Sequence, residues 1–452
     1  MNQGLSGAAS PMPPVSQPPG QLTAQTRPRI LAPDMARGLT LLGIAGANFT
    51  MAWSGVENPE SASTLGGVVD GELWDKIAVV FGAMFFHVRG LPMFSTLLGF
   101  GVGLISLSLY RRGFPLAKAK RVIVRRYGFL ALFGVIHCIF LFWGDIMLAY
   151  GLMGMLLSTL IAVKDKTLLI IAGVLAGLNC LYYLALTALV VVLGNLFPMD
   201  QFVASGANTG GTGLLGGSSY LSQLGSGTLA AVLTPLMLAA LIPMLGPLML
   251  VGFVAARRGW LTDVQQHRGL LVKAAAVAVA IMVIVGLPLG LAGIGVLPTS
   301  WEIPLSIVNN AFGPFTGPGI VAMIALASAP LQRALNDGKK LPEPLLAIKA
   351  LGQRSMSGYV MQSILGLILV VPYTLGISQG QGAAQATAIG ALIWLITVVL
   401  AYVLEKLGVP GPFEWLHRRL SYGAKGLPAQ YSADQIDALS YPKQLPQQPP
   451  TH

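Results

Sequence analysis

The chain has 452 residues, of which 54% are hydrophobic and only 10% are charged. A water-soluble domain usually carries about 25% charged residues, so this composition excludes a soluble globule and predicts an all-α, polytopic membrane helix bundle. The net charge of +11 does not indicate a nucleic-acid partner, because the basic residues cluster in short loops between apolar segments.

Both ends of the chain differ from its middle. Residues 1–30 and 427–452 are rich in proline and polar residues, so we predict disordered cytoplasmic tails around a transmembrane bundle at 31–426. The first tail lacks the apolar core of a cleavable signal peptide. Cys138 and Cys180 fall within apolar runs and no Cys/His metal spacing is present, so neither a disulfide nor a metal is predicted.

Ten apolar segments lie between the tails, against a requirement of roughly 20 residues for one crossing. They cover residues 38–54, 77–110, 122–143, 146–163, 167–194, 229–256, 270–296, 308–331, 356–376 and 384–405. The second segment is too long for one straight crossing and is interrupted by Gly90 and Pro92. We therefore expect an extra, broken or re-entrant outer helix at 77–88, followed by the true crossing at 91–110.

The loops between these segments alternate in charge. Seven basic residues lie between positions 111 and 126, whereas the loops at 55–76 and 195–228 carry almost no cations. Because basic loops stay in the cytoplasm, the pattern predicts ten crossings of the inner (plasma) membrane with both termini cytoplasmic. The long loop at 195–228 is either a flexible external connector or a lid over an outward-facing site.

Polar residues in the first apolar segment have two interpretations each. Asp34 and Arg37 share one helix face, so they form a local ion pair, or Arg37 reaches into the bundle to bind a phosphate or carboxylate. Asn48 lies about three turns further along. It either hydrogen-bonds to a neighbouring helix or orients a substrate carbonyl.

His137 and Asp145 are the candidates at greatest predicted depth. An ionisable side chain inside a bilayer segment is costly and is a functional candidate by default. His137 either hydrogen-bonds to a backbone carbonyl or acts as a general base. Asp145 follows eight residues later, so it pairs with His137 only if the chain folds back at Gly144; otherwise it caps the next helix.

Four further residues are candidates for substrate contacts. His87 and Arg89 lie in the broken segment, either as anchors at the membrane interface or as part of an outer site. Tyr359 and Gln362 form a polar stripe with Ser355, at helical spacings of four and three.

Five motifs extend over nearly the whole membrane region. They are Asp-x-x-Arg-Gly at 34–38 followed by Asn48, Phe-Ser-x-Leu-x-Gly-x-Gly at 94–101, Gly-x-x-His…Trp-Gly-Asp-Ile-x-x-x-Tyr-x-x-x-Gly at 134–154, Arg-Gly-Trp-Leu at 258–261, and the pair Ser-Gly-Tyr-Val-Met-Gln at 357–362 with Pro-x-Glu-Trp-Leu at 412–416. With these motifs the chain resembles the YeiB-like family of bacterial membrane proteins. That family is distantly similar to transmembrane acyltransferases typified by heparan-α-glucosaminide N-acetyltransferase.

The resemblance implies transfer of an acyl group, in the simplest case acetyl, from cytoplasmic acyl-CoA to a sugar or glycolipid acceptor at the outer face. Acyl-CoA would be a co-substrate, and no metal is implied. The CoA phosphates would be bound by four arginines, namely Arg37, Arg121, Arg125 and Arg126. His137 would deprotonate the acceptor while Asn48 steadies the thioester carbonyl.

Two other classes of function stay open at this point. Proline-containing helices and buried polar residues are equally typical of a transporter or a lipid-handling protein without acyl-transfer chemistry. A scaffold in the membrane predicts that changes at His137 and Asn48 have no effect. The lipid bilayer and an envelope sugar or glycolipid are the expected partners, and a homo-oligomer is compatible with the sequence.

Overall fold

The computed structural model describes residues 30–53, 64–196, 219–377 and 380–431. Within these ranges the chain is helical and contains no β-strand, which confirms the all-α class. The predicted tails lie outside the described residues except at their inner ends, and so does the central part of the loop at 195–228. At the start of the second tail, the backbone N–H of Tyr431 donates to the carbonyl of Arg112 at 2.8 Å.

The described residues form fifteen α-helices. The first group is α1 (Leu31–Asn48), α2 (Leu73–Phe85), α3 (Gly90–Arg111), α4 (Leu116–Phe140), α5 (Met147–Leu157) and α6 (Asp165–Leu196). The second group is α7 (Tyr220–Arg257), α8 (Arg268–Ile281), α9 (Leu287–Gly293), α10 (Glu302–Phe312) and α11 (Thr316–Asn336). The last group is α12 (Glu343–Gln353), α13 (Ser355–Leu369), α14 (Ala383–Lys406) and α15 (Pro412–Tyr422).

Seven helical stretches of the described chain are long and apolar enough to cross a membrane. They are Leu73–Arg111, Leu116–Phe140, Asp165–Gly194, Tyr220–Arg257, Arg268–Gly293, Thr299–Asn336 and Ala383–Lys406. The shorter apolar stretches Met147–Leu160 and Ser355–Leu369 match two further predicted segments, and α1 matches the first. A multi-pass membrane protein is thereby confirmed, while the number of ten crossings and their direction stay predictions.

Large apolar side chains cover much of the outside of the bundle. Leu181 on α6, Leu236 on α7 and Ile284 after α8 are 66%, 67% and 71% exposed. Surfaces of this kind are unfavourable in water and favourable against lipid chains. The exterior of the protein therefore fits a lipid bilayer as its surrounding solvent.

The second apolar segment is broken near the predicted position, with the outer helix at Leu73–Phe85 rather than 77–88. Residues 86–89 separate α2 from α3, and Val88 among them adopts a φ of 59°, which branched side chains rarely do. The buried guanidinium of Arg89 donates to the carbonyls of Met84 and Val88 and to Oδ1 of Asn309, each at 3.0 Å. The first two hydrogen bonds satisfy backbone oxygens that the break removes from the helical ladder, and the third connects the break to α10.

Small residues bring the central helices close together. A Cβ atom on Gly99 of α3 would clash with the backbone of Met249 on α7, and one on Gly134 of α4 would clash with the backbone of Leu148 on α5. Close backbone approach of this kind is typical of helix pairs in membranes. The second contact fixes the start of α5 against α4, one helical turn from His137.

The predicted orientation can be tested by cysteine labelling in intact cells. We expect a membrane-impermeant thiol reagent to label Gly210→Cys and to leave Lys118→Cys and Thr262→Cys unlabelled until the cells are permeabilised, because basic loops stay in the cytoplasm. Each variant is made in a chain whose Cys138 and Cys180 have been replaced, and that chain without an added cysteine is the control. Labelling of Lys118→Cys in intact cells would reverse the orientation.

Candidate functional site

A cavity of about 350 Å³ lies among α1, α3, α4, α13 and α15. Most of its wall is apolar, with side chains such as Leu41, Phe94 and Leu130. Its two ends are polar. The basic end, defined by Arg37, Arg126 and Arg418, lies beside the first turn of α13, and the inner end is formed by Tyr150 and Tyr359. A ligand complementary to this lining has an anionic head and a mostly apolar arm.

Neighbouring side chains hold the arginines at the basic end. Nη1 of Arg37 lies 3.4 Å from Oδ1 of Asp34, whose other oxygen accepts a hydrogen bond from Gln353 at 3.0 Å. Arg126 donates to the hydroxyl of Tyr422 at 2.8 Å and lies over that ring. Both guanidinium groups are therefore positioned before any ligand arrives.

Two of the four arginines predicted to bind the donor are elsewhere. Arg121 and Arg125 lie on the exposed side of α4, outside the cavity wall. The guanidinium of Arg125 lies 5.9 Å from the centroid of the Phe129 ring. The cavity thus contains Arg37 and Arg126 of the predicted set, together with Arg418, which the sequence analysis did not single out.

The acidic residue at this end, Glu414, stabilises the start of α13. Glu414 on α15 accepts hydrogen bonds from the backbone N–H groups of Met356 and Ser357, at 2.7 and 3.1 Å, and from the Ser357 hydroxyl. A carboxylate at a helix N-terminus interacts favourably with the helix dipole, so Glu414 fixes the start of α13. These hydrogen bonds partly compensate the negative charge of Glu414. The three arginines therefore give the basic end a net positive charge.

His417 adds no charge to the basic end at neutral pH. Burial, together with the nearby Arg126 cation, lowers the pKa of His417 to about 4. The neutral ring lies with Nε2 at 2.8 Å from the carbonyl oxygen of Arg126, to which it donates. His417 therefore attaches α15 to α4 and shapes the cavity.

Beyond the inner end of the cavity, His137 connects α4 to α13 and to the turn before α5. Its Nδ1 lies 2.8 Å from Oδ1 of Asp145, and both side chains are almost fully buried. The two atoms are close without the alignment of a hydrogen bond. On the opposite side of the ring, Nε2 is hydrogen-bonded to the hydroxyl of Ser363 at 2.8 Å. Asp145, His137 and Ser363 thus form a continuous line of contacts.

Asp145 has both of the roles that the sequence analysis considered. The chain folds back after α4, so Oδ1 reaches His137, while Oδ2 accepts a hydrogen bond from the backbone N–H of Leu148 at 2.7 Å. The second contact caps the start of α5. One carboxylate therefore lies against the histidine and stabilises the helix that follows it.

Of three other predicted site residues, Tyr359 lies beside His137 and lines the cavity, whereas Gln362 and Asn48 do not line it. Tyr359 lines the inner end of the cavity, and its ring centroid lies 4.9 Å from that of His137. Gln362 donates to the carbonyl of Leu41 at 3.3 Å, off the cavity wall. Asn48 is half-buried at the far end of α1, also off the wall.

His87 and Arg89 stay within the break between α2 and α3. Nδ1 of the buried His87 lies 3.1 Å from the sulfur of Met51, and neither residue lines the cavity. The structure thus brings His137, Asp145 and Tyr359 together and leaves the residues of the break in a separate region. Within the described ranges, no group of three or more His, Cys, Asp or Glu residues could hold a metal ion.

Ser363 is a residue of this group that was not predicted from the sequence. The signal was available, because Ser363 follows Tyr359 by four residues and Ser355 by eight, so it continues the polar stripe along α13. Its partner His137 is 226 residues away in the chain, and helical periodicity carries no information about such a contact.

Comparison with known proteins supports the family suggested by the motifs. Residues 255–424 match the model of a family described as "Protein of unknown function (DUF418)". The chain is 25% identical to the uncharacterized protein YeiB of Escherichia coli (strain K12) over 427 residues, covering 87% of this chain and 96% of YeiB. It is also 25% identical to the uncharacterized protein YxaH of Bacillus subtilis (strain 168) over 417 residues, covering 88% of this chain and 95% of YxaH. These similarities confirm the resemblance to the YeiB-like family.

Proposed function

We propose that this protein is an integral membrane acyltransferase, which moves an acyl group from acyl-CoA to a sugar or glycolipid acceptor on the opposite side of the membrane. One observation carries the proposal. A cavity with a cationic end and an apolar wall is lined by Tyr359, whose ring contacts a buried histidine that lies against a carboxylate on one side and is bonded to a hydroxyl on the other. These parts suit acyl transfer from a phosphate-bearing donor, which needs an anion-binding group and benefits from a base near the thioester.

The donor would enter from the basic end. Guanidinium groups form paired, charge-assisted hydrogen bonds with phosphate oxygens, so Arg37, Arg126 and Arg418 would bind the phosphates of CoA. A volume of about 350 Å³ is small for a whole nucleotide but suits the slender thiol-bearing arm and a short acyl group. We place the basic end on the cytoplasmic side of the inner membrane, in agreement with the predicted orientation.

The chemistry would depend on His137. A neutral imidazole accepts a proton from an attacking hydroxyl and returns it to the leaving thiolate, so one residue serves as base and then as acid. Asp145 would keep the ring in one orientation, with Nδ1–H toward the carboxylate and Nε2 available as the base. The burial of the pair excludes bulk water and so limits hydrolysis of the thioester.

Release of free CoA by the purified protein tests this function. We expect the full chain in lipid nanodiscs to release free thiol from acetyl-CoA when an extract of envelope sugars and glycolipids is added. The matched control is the His137→Ala variant in the same nanodiscs. If acyl-CoA esters with chains from acetyl to palmitoyl all give no release above that control, acyl transfer is not the function.

The arginines at the basic end make a separate prediction. We expect Arg37→Gln and Arg126→Gln each to weaken CoA binding about tenfold, because a hydrogen bond to a charged group contributes on the order of 1.5–3 kcal/mol and this end is partly exposed. Isothermal titration with CoA measures the effect, and Lys339→Gln, which changes an exposed cation that does not line the cavity, is the control. Equal affinities in all three variants would contradict donor binding at this end.

The same cavity also favours a second function. An anionic lipid has a charged head and an apolar body, and a transporter or lipid-handling protein would bind it without any transfer step. Binding of anionic lipids with no release of CoA in the assay above would favour this alternative.

A further inference from the structure

Ser363 has the geometry of an activated nucleophile. Its hydroxyl is hydrogen-bonded at 2.8 Å to Nε2 of His137, whose Nδ1 lies 2.8 Å from Asp145. The three side chains come from α13, from α4 and from the turn before α5, and all three are buried. A hydroxyl bonded to one nitrogen of a histidine whose other nitrogen lies against a carboxylate is the arrangement that makes serine nucleophilic.

A structural role for the Ser363 hydroxyl fits less well. Serine and threonine inside helices commonly donate to a carbonyl of their own preceding turn. Several buried residues of this chain do so, including Thr40, Thr50, Ser95 and Thr96. Ser363 instead is bonded to a histidine on another helix, and its oxygen is therefore aimed at a base.

We propose that Ser363 carries the acyl group as a covalent ester between two half-reactions; this proposal rests on the acyltransferase function above. In the first half-reaction, Oγ of Ser363 attacks the thioester carbonyl, and its proton moves to Nε2 of His137. The carbon–sulfur bond then breaks, and His137 returns the proton to the departing thiolate to give free CoA. In the second, the acceptor hydroxyl attacks the ester, His137 takes its proton, and the proton passes to Oγ as the carbon–oxygen bond to Ser363 breaks.

Tyr359 lies between the cavity and His137, on the path by which the donor would reach this serine. It lines the inner end of the cavity and contacts the His137 ring, whereas Ser363 lies off the wall, one turn further along α13 and about 6 Å along the axis. Rotation of the Tyr359 ring would join the cavity to the serine. A covalent intermediate also removes the need for donor and acceptor to meet in one pocket, which suits substrates on opposite sides of a membrane.

The test is a search for the ester without an acceptor. The full chain in nanodiscs is incubated with acetyl-CoA, and the reaction is quenched in acid. The protein is then digested, and the mass of the peptide that contains Ser363 is measured by mass spectrometry. We expect an acetyl adduct in the wild-type protein, no adduct in Ser363→Ala, and an unchanged adduct in Ser106→Ala, whose hydroxyl bonds only a carbonyl of its own helix turn among the contacts of the described residues. Exchange of labelled free CoA into acetyl-CoA should follow the same pattern.

Ser363→Cys is the second variant, since alanine could disturb folding. We expect it to retain a thioester adduct that neutral hydroxylamine removes. Acceptor-dependent CoA release that persists in Ser363→Ala without an adduct would overturn the covalent step and leave the acyltransferase function standing. Absence of both adduct and CoA release in the wild-type protein, with every acyl-CoA, would overturn both.

Discussion

Replacing His137 with alanine is expected to lower the rate of acyl transfer by about 10²–10⁴-fold, the usual cost of losing a general base. The side chain that remains cannot take the proton of Ser363 or of an acceptor, while α4 keeps its close contact with α5 through Gly134. The rate is measured as CoA released per protein in nanodiscs. Expression and elution from size-exclusion chromatography should match those of the wild type.

His87→Ala is the matched control in the same preparation, because it removes the other histidine buried within the apolar helices. His87 lies in the break between α2 and α3, contacts Met51 and does not line the cavity. We therefore expect its rate to stay near that of the wild type. Full activity in His137→Ala together with loss in His87→Ala would move the reaction to the broken segment and contradict the site.

Much of the fold is predictable because hydrophobic periodicity is local. Apolar runs mark the helices, and Gly90 with Pro92 marks the break, since each signal is contained within a few neighbouring residues. The hydrogen bonds that stabilise the break were less predictable. Arg89 is enclosed by backbone carbonyls and by Asn309, and the sequence alone does not show that a distant helix supplies this amide.

The site was predictable in part for the same reason. His137 and Asp145 could be predicted as candidates because burying an ionisable side chain in apolar surroundings is energetically unfavourable. Whether they pair, however, depends on the angle at which the chain turns back after α4. That angle is set by the packing of Gly134 against Leu148, which is a contact between two helices. Ser363 and Arg418 required still longer-range contacts, so neither could be assigned to the site from the sequence.

The short helix α15 shows a further limit. It is polar and has eleven residues, so it gives no signal of a membrane span. It nevertheless supplies Glu414, His417 and Arg418 to the cavity. Its position depends on two contacts between distant parts of the chain: Glu414 accepts hydrogen bonds from backbone N–H groups at the start of α13, and His417 donates to a carbonyl of α4.

Asp145→Asn is expected to lower the rate of acyl transfer by up to about 10⁴-fold with little loss of stability, the cost of the equivalent change in a Ser-His-Asp triad. The side-chain oxygen of asparagine can still accept the hydrogen bond from Leu148, so the cap of α5 is retained. Its amide N–H₂ would face Nδ1 of His137 and favour the tautomer with Nε2 protonated, which can no longer act as a base toward Ser363. The maximal rate should fall while the Michaelis constant for acyl-CoA and the melting temperature stay close to those of the wild type.

Asp145→Ala separates the two roles of this carboxylate. It removes the cap as well as the partner of His137, so we expect the same loss of rate together with a destabilisation of about 1 kcal/mol, measured by thermal unfolding. Asp145→Glu keeps the charge and should recover part of the maximal rate. If Asp145→Asn keeps the full rate and only Asp145→Ala is impaired, the carboxylate serves the helix alone, and the orientation of His137 must come from Ser363 and Tyr359.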